Sequence, residues 1–181
     1  MAALLRSLAV VGTGLIGASA GLAARRAGIV RVTGWDFDAE ALGVAAERGA
    51  VEAAGSLAEA VADADLVLVA VPVAELASQV RETLVLVGEE STVTDVGSTK
   101  GPVCAAAGED VRFVGGHPIC GAETRGPARA SAELFDDATW FLTPLAATGK
   151  GRSVPCSMPS RSASNRSAVA VASSASVSMP T

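Results

Sequence analysis

Ser7-Leu8-Ala9-Val10-Val11-Gly12-Thr13-Gly14-Leu15-Ile16-Gly17, with Val32-Thr33-Gly34-Trp35-Asp36 following, is the stretch that decides the fold. An apolar run enters a glycine turn, an Ala-rich segment follows, and a second apolar run ends in an acid nineteen residues past Gly17. In a strand–turn–helix–strand unit of this kind, Gly12 permits the tight turn. Gly14 lets a pyrophosphate approach the backbone, and Gly17 lets the helix lie close to its strand. A helix starting near Leu15 offers free N–H groups and a positive dipole end to phosphates. Asp36 falls where a carboxylate accepts hydrogen bonds from an adenosine ribose, its alternative being a solvated loop acid. A carboxylate there repels a 2′-phosphate, so the cofactor expected is NAD rather than NADP. Arg25, Arg26 and Arg31 are near enough in sequence to weaken that preference.

Outward from this unit the chain alternates strand and helix. Leu15 to Ala27 reads as a helix stopped by Gly28, and Arg31 to Trp35 as a strand. Asp38 caps a helix through Arg48 that Gly49 ends, and Ser56-Leu57-Ala58-Glu59 has the form of a capping box. Leu66 to Val71 is apolar throughout, as a strand covered on both faces requires. Pro72 stops it, and Val73 to Leu86 is helical in pattern. Thr92 to Val96 is the next strand, with Ser98 or Thr99 capping a helix to about Ala107. Val111 to Val114 is a strand entering the loop Gly115-Gly116-His117-Pro118. The alternation predicts a doubly wound, mostly parallel α/β sheet, Rossmann-like, over residues 1–147. Ligands bind such sheets beyond the carboxyl ends of the strands. Gly12, Asp36, Pro72, Ser98 and His117 all fall at such ends.

Half of the 181 residues are hydrophobic, and 14 basic against 19 acidic residues leave a formal charge of −5. That balance argues against a nucleic-acid partner and suits a cytoplasmic protein. No run reaches the roughly 18 apolar residues of a membrane span, and the N-terminus lacks the form of a signal peptide. Cys104, Cys120 and Cys156 have no C-x-x-C spacing and read as core or loop thiols rather than a disulfide framework or a zinc site. The composition breaks near Ala147. Residues 148–181 hold ten serines against seven in the first 147 positions, with no Asp, Glu, Leu, Ile or Phe. Such a segment is expected to be a disordered tail, either a natural Ser-rich stretch or an out-of-frame end.

His117 is the sole histidine. A lone histidine is more often structural or exposed than catalytic, but this one sits between glycines and a proline at a strand end. An alcohol dehydrogenation needs a base at the hydroxyl, and imidazole titrates in the right range. Ser98 is a helix cap by default, with orientation of the imidazole as its functional alternative. Lys100 reads most simply as a solvated first-turn lysine, with phosphate or substrate contact as the alternative, and Asp136 and Asp137 as a solvated pair. Glu123 either steers substrate or is a surface acid.

Val11-Gly12-Thr13-Gly14-Leu15-Ile16-Gly17, Asp95-Val96-Gly97-Ser98-Thr99-Lys100, Gly115-Gly116-His117-Pro118-Ile119-Cys120-Gly121-Ala122-Glu123 and the segment from Leu134 to Pro144 together resemble the prephenate dehydrogenase family. The resemblance covers residues 7 to 146. It implies NAD-dependent oxidative decarboxylation of prephenate to 4-hydroxyphenylpyruvate in tyrosine biosynthesis, with arogenate dehydrogenase or a catalytically silent NAD-binding module as alternatives. His117 matches the residue that takes the ring hydroxyl proton. Ser98 matches a serine contacting both the histidine and the cofactor, and Glu123 a loop acid near the substrate. The cofactor-binding set it implies is Gly12, Thr13, Gly14, Leu15, Ile16, Gly17, Asp36, Val71, Pro72, Gly97 and Ser98, with no metal. Cys120, Ala122 and Arg125 depart from the residues usual in relatives. The family continues past Thr143-Pro144 into a helical domain that forms a homodimer and supplies an arginine to the substrate. Nothing after Ala147 resembles it, so the expectation is a cofactor-binding domain with half an active site.

Overall fold

In a computed structural model the described residues are 5–120 and 124–144. Seven strands form one sheet in the order β3-β2-β1-β4-β5-β6-β7. The strands are β1 (Ser7–Val11), β2 (Arg31–Trp35), β3 (Glu52–Ala53), β4 (Leu66–Val69), β5 (Thr92–Asp95), β6 (Phe113–Ile119) and β7 (Thr139–Pro144). The first six are parallel and β7 is antiparallel to β6. Chain order reverses between β1 and β4, which makes the gap above them the topological switch point. The helices are α1 (Leu15–Arg26), α2 (Ala39–Glu47), α3 (Leu57–Val61), α4 (Val73–Leu86) and α5 (Gly101–Ala107).

The sheet divides the apolar interior in two. On one face Ala9, Val11, Val67, Val69 and Val93 meet Leu57, Leu76, Val80 and Val103 of α3, α4 and α5. On the other, Leu8, Val10, Val32 and Leu68 meet Ala18, Ala20 and Ala24 of α1. All five residues of β1 are buried, which is why that run carries no alternation of polar residues. The contact face of α1 is made of small residues, so the helix lies close to its neighbours. A Cβ on Gly17 would stand 1.9 Å from the Gly12 carbonyl oxygen, and one on Gly21 2.4 Å from that of Ala50.

The caps follow the sequence. Asp38 accepts from the N–H groups of Glu40 and Ala41 at the start of α2. Ser56 Oγ accepts from Glu59 N, and Glu59 returns the bond to the N–H of Gly55. Three expectations need correction. Neither Ser98 nor Thr99 caps α5, which starts after Lys100 without a side-chain cap. β4 ends at Val69, two residues earlier than expected. β6 does not stop at Val114 but runs through Gly115, Gly116, His117 and Pro118 to Ile119. The cause is β7, whose Phe141 pairs with His117 and keeps the segment extended after its other neighbour, β5, has ended. The expected tail, 148–181, lies outside the described residues.

Candidate functional site

Register fixes which residues share the carboxyl edge. Val11 is level with Trp35 on one side and Val69 on the other, and Val69 is level with Asp95. Thr94 pairs with Val114, so Gly116 and His117 stand past the last residue of β5. Five chain segments therefore emerge side by side: Asp36 after β2, the glycine loop after β1, Val71 and Pro72 after β4, Val96 to Lys100 after β5, and His117 on β6. At ~4.8 Å per strand, the loop after β1 and His117 are on the order of 14 Å apart along the edge, room for an extended ligand between them.

The three glycines of the loop play different parts. Gly12 has φ +91°, and a Cβ there would meet the Ala70 backbone at 2.7 Å. Gly17 carries the helix contact already described. A Cβ on Gly14 would meet nothing within 4 Å, so its bare face opens onto free space. Beside it α1 begins with no side-chain cap and no acid in its first turn. Its first intrahelical bond is donated by Ala18 N to Gly14 O, which leaves the N–H groups of Leu15, Ile16 and Gly17 outside the helix ladder. Free N–H groups, an uncompensated dipole and an open glycine face fit a pyrophosphate. Asp36 is fixed at the loop's flank. Its Oδ2 accepts from both the N–H and the hydroxyl of buried Thr13, and its Oδ1 accepts from Asp38 N. The Thr13 amide is thus committed to Asp36 rather than to a ligand, while the carboxylate keeps lone pairs for two ribose hydroxyls.

The arginines near Asp36 in sequence are far from it in space. Arg25 and Arg26 close α1, about 16 Å along its axis from Gly14, and Arg31 opens β2, about 16 Å from Asp36. Each is engaged at the opposite edge: Arg25 with Glu52, Arg26 with Glu133 and Asp136, Arg31 with Asp63. Asp136 and Asp137 are both exposed, as a solvated pair should be, and Asp136 also forms an ion pair with Arg26.

At the other end of the edge, the half-buried His117 ring places Nδ1 3.3 Å from the Val96 carbonyl oxygen. A carbonyl only accepts, so Nδ1 carries the proton and Nε2 of the neutral ring holds a free lone pair. The bond expected from Ser98 to this ring is not formed; Ser98 stands exposed on the loop after β5. Gly97 is buried against Leu76, where a Cβ would come within 2.3 Å of Cδ2. Lys100 is not the solvated lysine expected. Its side chain is 4% exposed and ion-paired with Asp95, which is fully buried. Burial pushes the Lys100 ammonium below its usual range, opposed by the Asp95 carboxylate. Asp95 and Val96 are the members of this site to which sequence reasoning assigned no role. The available signal was an acid closing a strand, with a lysine five positions later. Burial also raises the Cys120 thiol. Glu123 lies outside the described residues. Among those described, no group of three or more His, Cys, Asp or Glu could hold a metal, and no helix is long and apolar enough to cross a membrane.

Comparison with known proteins puts these features in company. The family described as "Prephenate dehydrogenase, nucleotide-binding domain" matches residues 20–154. The prephenate dehydrogenase of Bacillus subtilis is 34% identical over 158 residues, covering 80% of this chain and 41% of that protein. A solved structure of the Aquifex aeolicus prephenate dehydrogenase, in complex with hydroxyphenyl propionate and NAD+, is 30% identical with a TM-score of 0.69. It covers 77% of this chain and 51% of that one. The Synechocystis arogenate dehydrogenase is 29% identical with a TM-score of 0.68, covering 76% and 50%. The chain thus spans about two fifths to half the length of these proteins.

Proposed function

We propose a function from one premise: this chain belongs to the family of prephenate dehydrogenase nucleotide-binding domains. It is the cofactor-binding part of an NAD-dependent enzyme that oxidises and decarboxylates prephenate to 4-hydroxyphenylpyruvate. The observation that carries the reading is the His117 ring, held through Nδ1 on the sheet edge that also bears the open glycine loop.

In this reading Leu15, Ile16 and Gly17 N–H groups hold the pyrophosphate beside the bare face of Gly14. Asp36 takes the adenosine ribose, and Val71, Pro72, Gly97 and Ser98 line the path toward the nicotinamide. NAD supplies the hydride acceptor. His117 Nε2 takes the proton of the ring hydroxyl as the carbon beneath it gives up hydride and becomes a carbonyl. The bond to the ring carboxylate then breaks, carbon dioxide leaves, and the electron pair makes the ring aromatic as the oxygen takes a proton back. Glu123 belongs to this proposal as a substrate-steering acid. The preference for NAD over NADP rests on Asp36, with the three arginines bound at the far edge. We also propose the boundary near residue 147 as the end of this domain.

The test is prephenate-dependent NADH formation, with NAD binding followed by calorimetry and arogenate run in parallel. His117→Asn should lower turnover by about 10²–10⁴ while NAD affinity holds. Binding of NAD without turnover would leave a cofactor module and remove the catalytic part of the reading. No binding would remove all of it.

A further inference from the structure

We infer that Asp95 and Lys100 form a buried clamp that continues β5 in side-chain atoms and so sets the position of His117. The problem they solve is geometric. A strand residue sends its N–H and C=O to the same side, and alternate residues serve alternate neighbours. Gly116 turns its N–H and C=O to the β5 side, where Asp95 and Lys100 lie, so those of His117 face β7. But β5 ends at Asp95, and the parallel pairing with β6 ends at Val114. Buried backbone groups with no partner there would be costly.

Side chains take the place of the missing strand. Gly116 N donates to Asp95 Oδ1 at 3.0 Å, and Lys100 Nζ donates to the Gly116 carbonyl at 2.6 Å. Lys100 Nζ also donates to Asp95 Oδ2, which accepts a further bond from Gly97 N at 2.9 Å. The residue preceding His117 is thus held at both its backbone N–H and its C=O by one ion pair, and the pair is tied to the loop that offers Val96 O to the ring. Packing leaves no slack. A Cβ on Gly116 would lie 2.4 Å from the Asp95 carbonyl oxygen, and one on Gly115 3.2 Å from Lys100 Cδ. Buried pairs seldom add stability over an apolar isostere. This one is explained by the conformation it selects: β6 extended past the parallel sheet, with Nδ1 against a carbonyl.

Lys100 and Asp95 are accordingly positioning residues, and the inference rests on the reading of His117 as the base. Because His117 is the sole histidine, its imidazole nitrogens can be followed by NMR in the intact chain without assignment ambiguity. The unmodified protein should show Nδ1–H as the dominant neutral tautomer, against the Nε2–H preference of a free histidine. Lys100→Met should return the ring toward Nε2–H while NAD affinity stays within about twofold, since no cofactor contact is touched. Lys100→Arg, which keeps charge and donors, should recover the Nδ1–H signature in part. Where the chain turns over prephenate, Lys100→Met should lower kcat by about a hundredfold with the KM for NAD unchanged, as expected of a misplaced base. An unchanged tautomer in a folded Lys100→Met variant would overturn the clamp. If that variant does not fold, amide exchange in the unmodified protein decides. A Gly116 N–H protected like the core of β5 supports the clamp, and one exchanging like an open loop overturns it. Absence of turnover with these signatures intact would count against the catalytic reading alone.

Discussion

At the scale of single residues, the glycine loop separates folding from binding. Gly17 has no room for a methyl group, because its Cβ would fall 1.9 Å from backbone. Gly17→Ala should therefore lower stability by about 1–3 kcal/mol, the usual range for overpacking, visible as a lower urea midpoint at constant m. Gly14 faces open space, and its φ of −65° suits any residue. Gly14→Ala should leave the midpoint within about 0.5 kcal/mol yet weaken NAD by roughly tenfold, one charge-assisted contact's worth. If both variants lose stability together, the open face at Gly14 does not exist in solution. The packing role of Gly17 was legible in the sequence, because spacing distinguishes the glycine that turns the chain, Gly12, from the one under the helix. The burial of Lys100 was not. Ser98 or Thr99 reads as a helix cap with Lys100 in the solvated first turn, and only the fold-back of this segment onto Asp95 and Gly116 removes the lysine from water.

At the scale of elements, α4 ends where local sequence gives it no basic last turn and no glycine in the left-handed region. Its terminal carbonyls are met from a distance instead. Arg112 donates to Leu84 O, Val87 O and Gly88 O, and is itself held by the Asp110 carboxylate. Arg112→Met should cost about 1–2 kcal/mol through those unmet carbonyls and the lost charge at the helix end. The hydrogen bonds from Arg112 hold the Asp110 carboxyl below its ordinary value, outweighing burial. A depressed folded value means that the native state binds the proton less readily than the unfolded chain. The contribution is therefore complete above about pH 4–5 and is lost as the pH falls through the lower folded value. Asp110→Asn should flatten the acid limb of a stability–pH curve and leave its neutral plateau lower; an acid limb of unchanged slope would refute the assignment. The strands left unread in the sequence are those defined by partners rather than pattern. β3 is two residues long, and β7 together with the second half of β6 exists through an antiparallel pairing across a 19-residue connection.

At the scale of the molecule, one sheet edge gathers the ligand groups while the arginines close to Asp36 in sequence sit at the other. That separation yields a thermodynamic test needing no catalysis. A ligand that binds only the folded state stabilises it by RT ln(1 + [L]/Kd), so NAD at a hundred times its Kd should add about 2.7 kcal/mol. For a folded unit of this size that is a rise in Tm of roughly 5–10 °C. NADP at the same concentration should give a much smaller rise, because its 2′-phosphate meets the Asp36 carboxylate while Arg25, Arg26 and Arg31 are held in ion pairs at the other edge. Replacing the carboxylate should narrow the gap from both sides. Asp36→Asn keeps one oxygen to accept from the Thr13 amide and hydroxyl and gives up the bond from Asp38 N, so the glycine loop keeps its anchor, while NAD loses its charge-assisted ribose bonds and NADP loses a repulsion. The expected outcome is a smaller shift with NAD and a larger one with NADP. Equal shifts with the two cofactors in the unmodified protein would mean that Asp36 serves only to anchor Thr13. Its three bonds to the chain would then be its whole role, and cofactor choice would lie elsewhere on the edge.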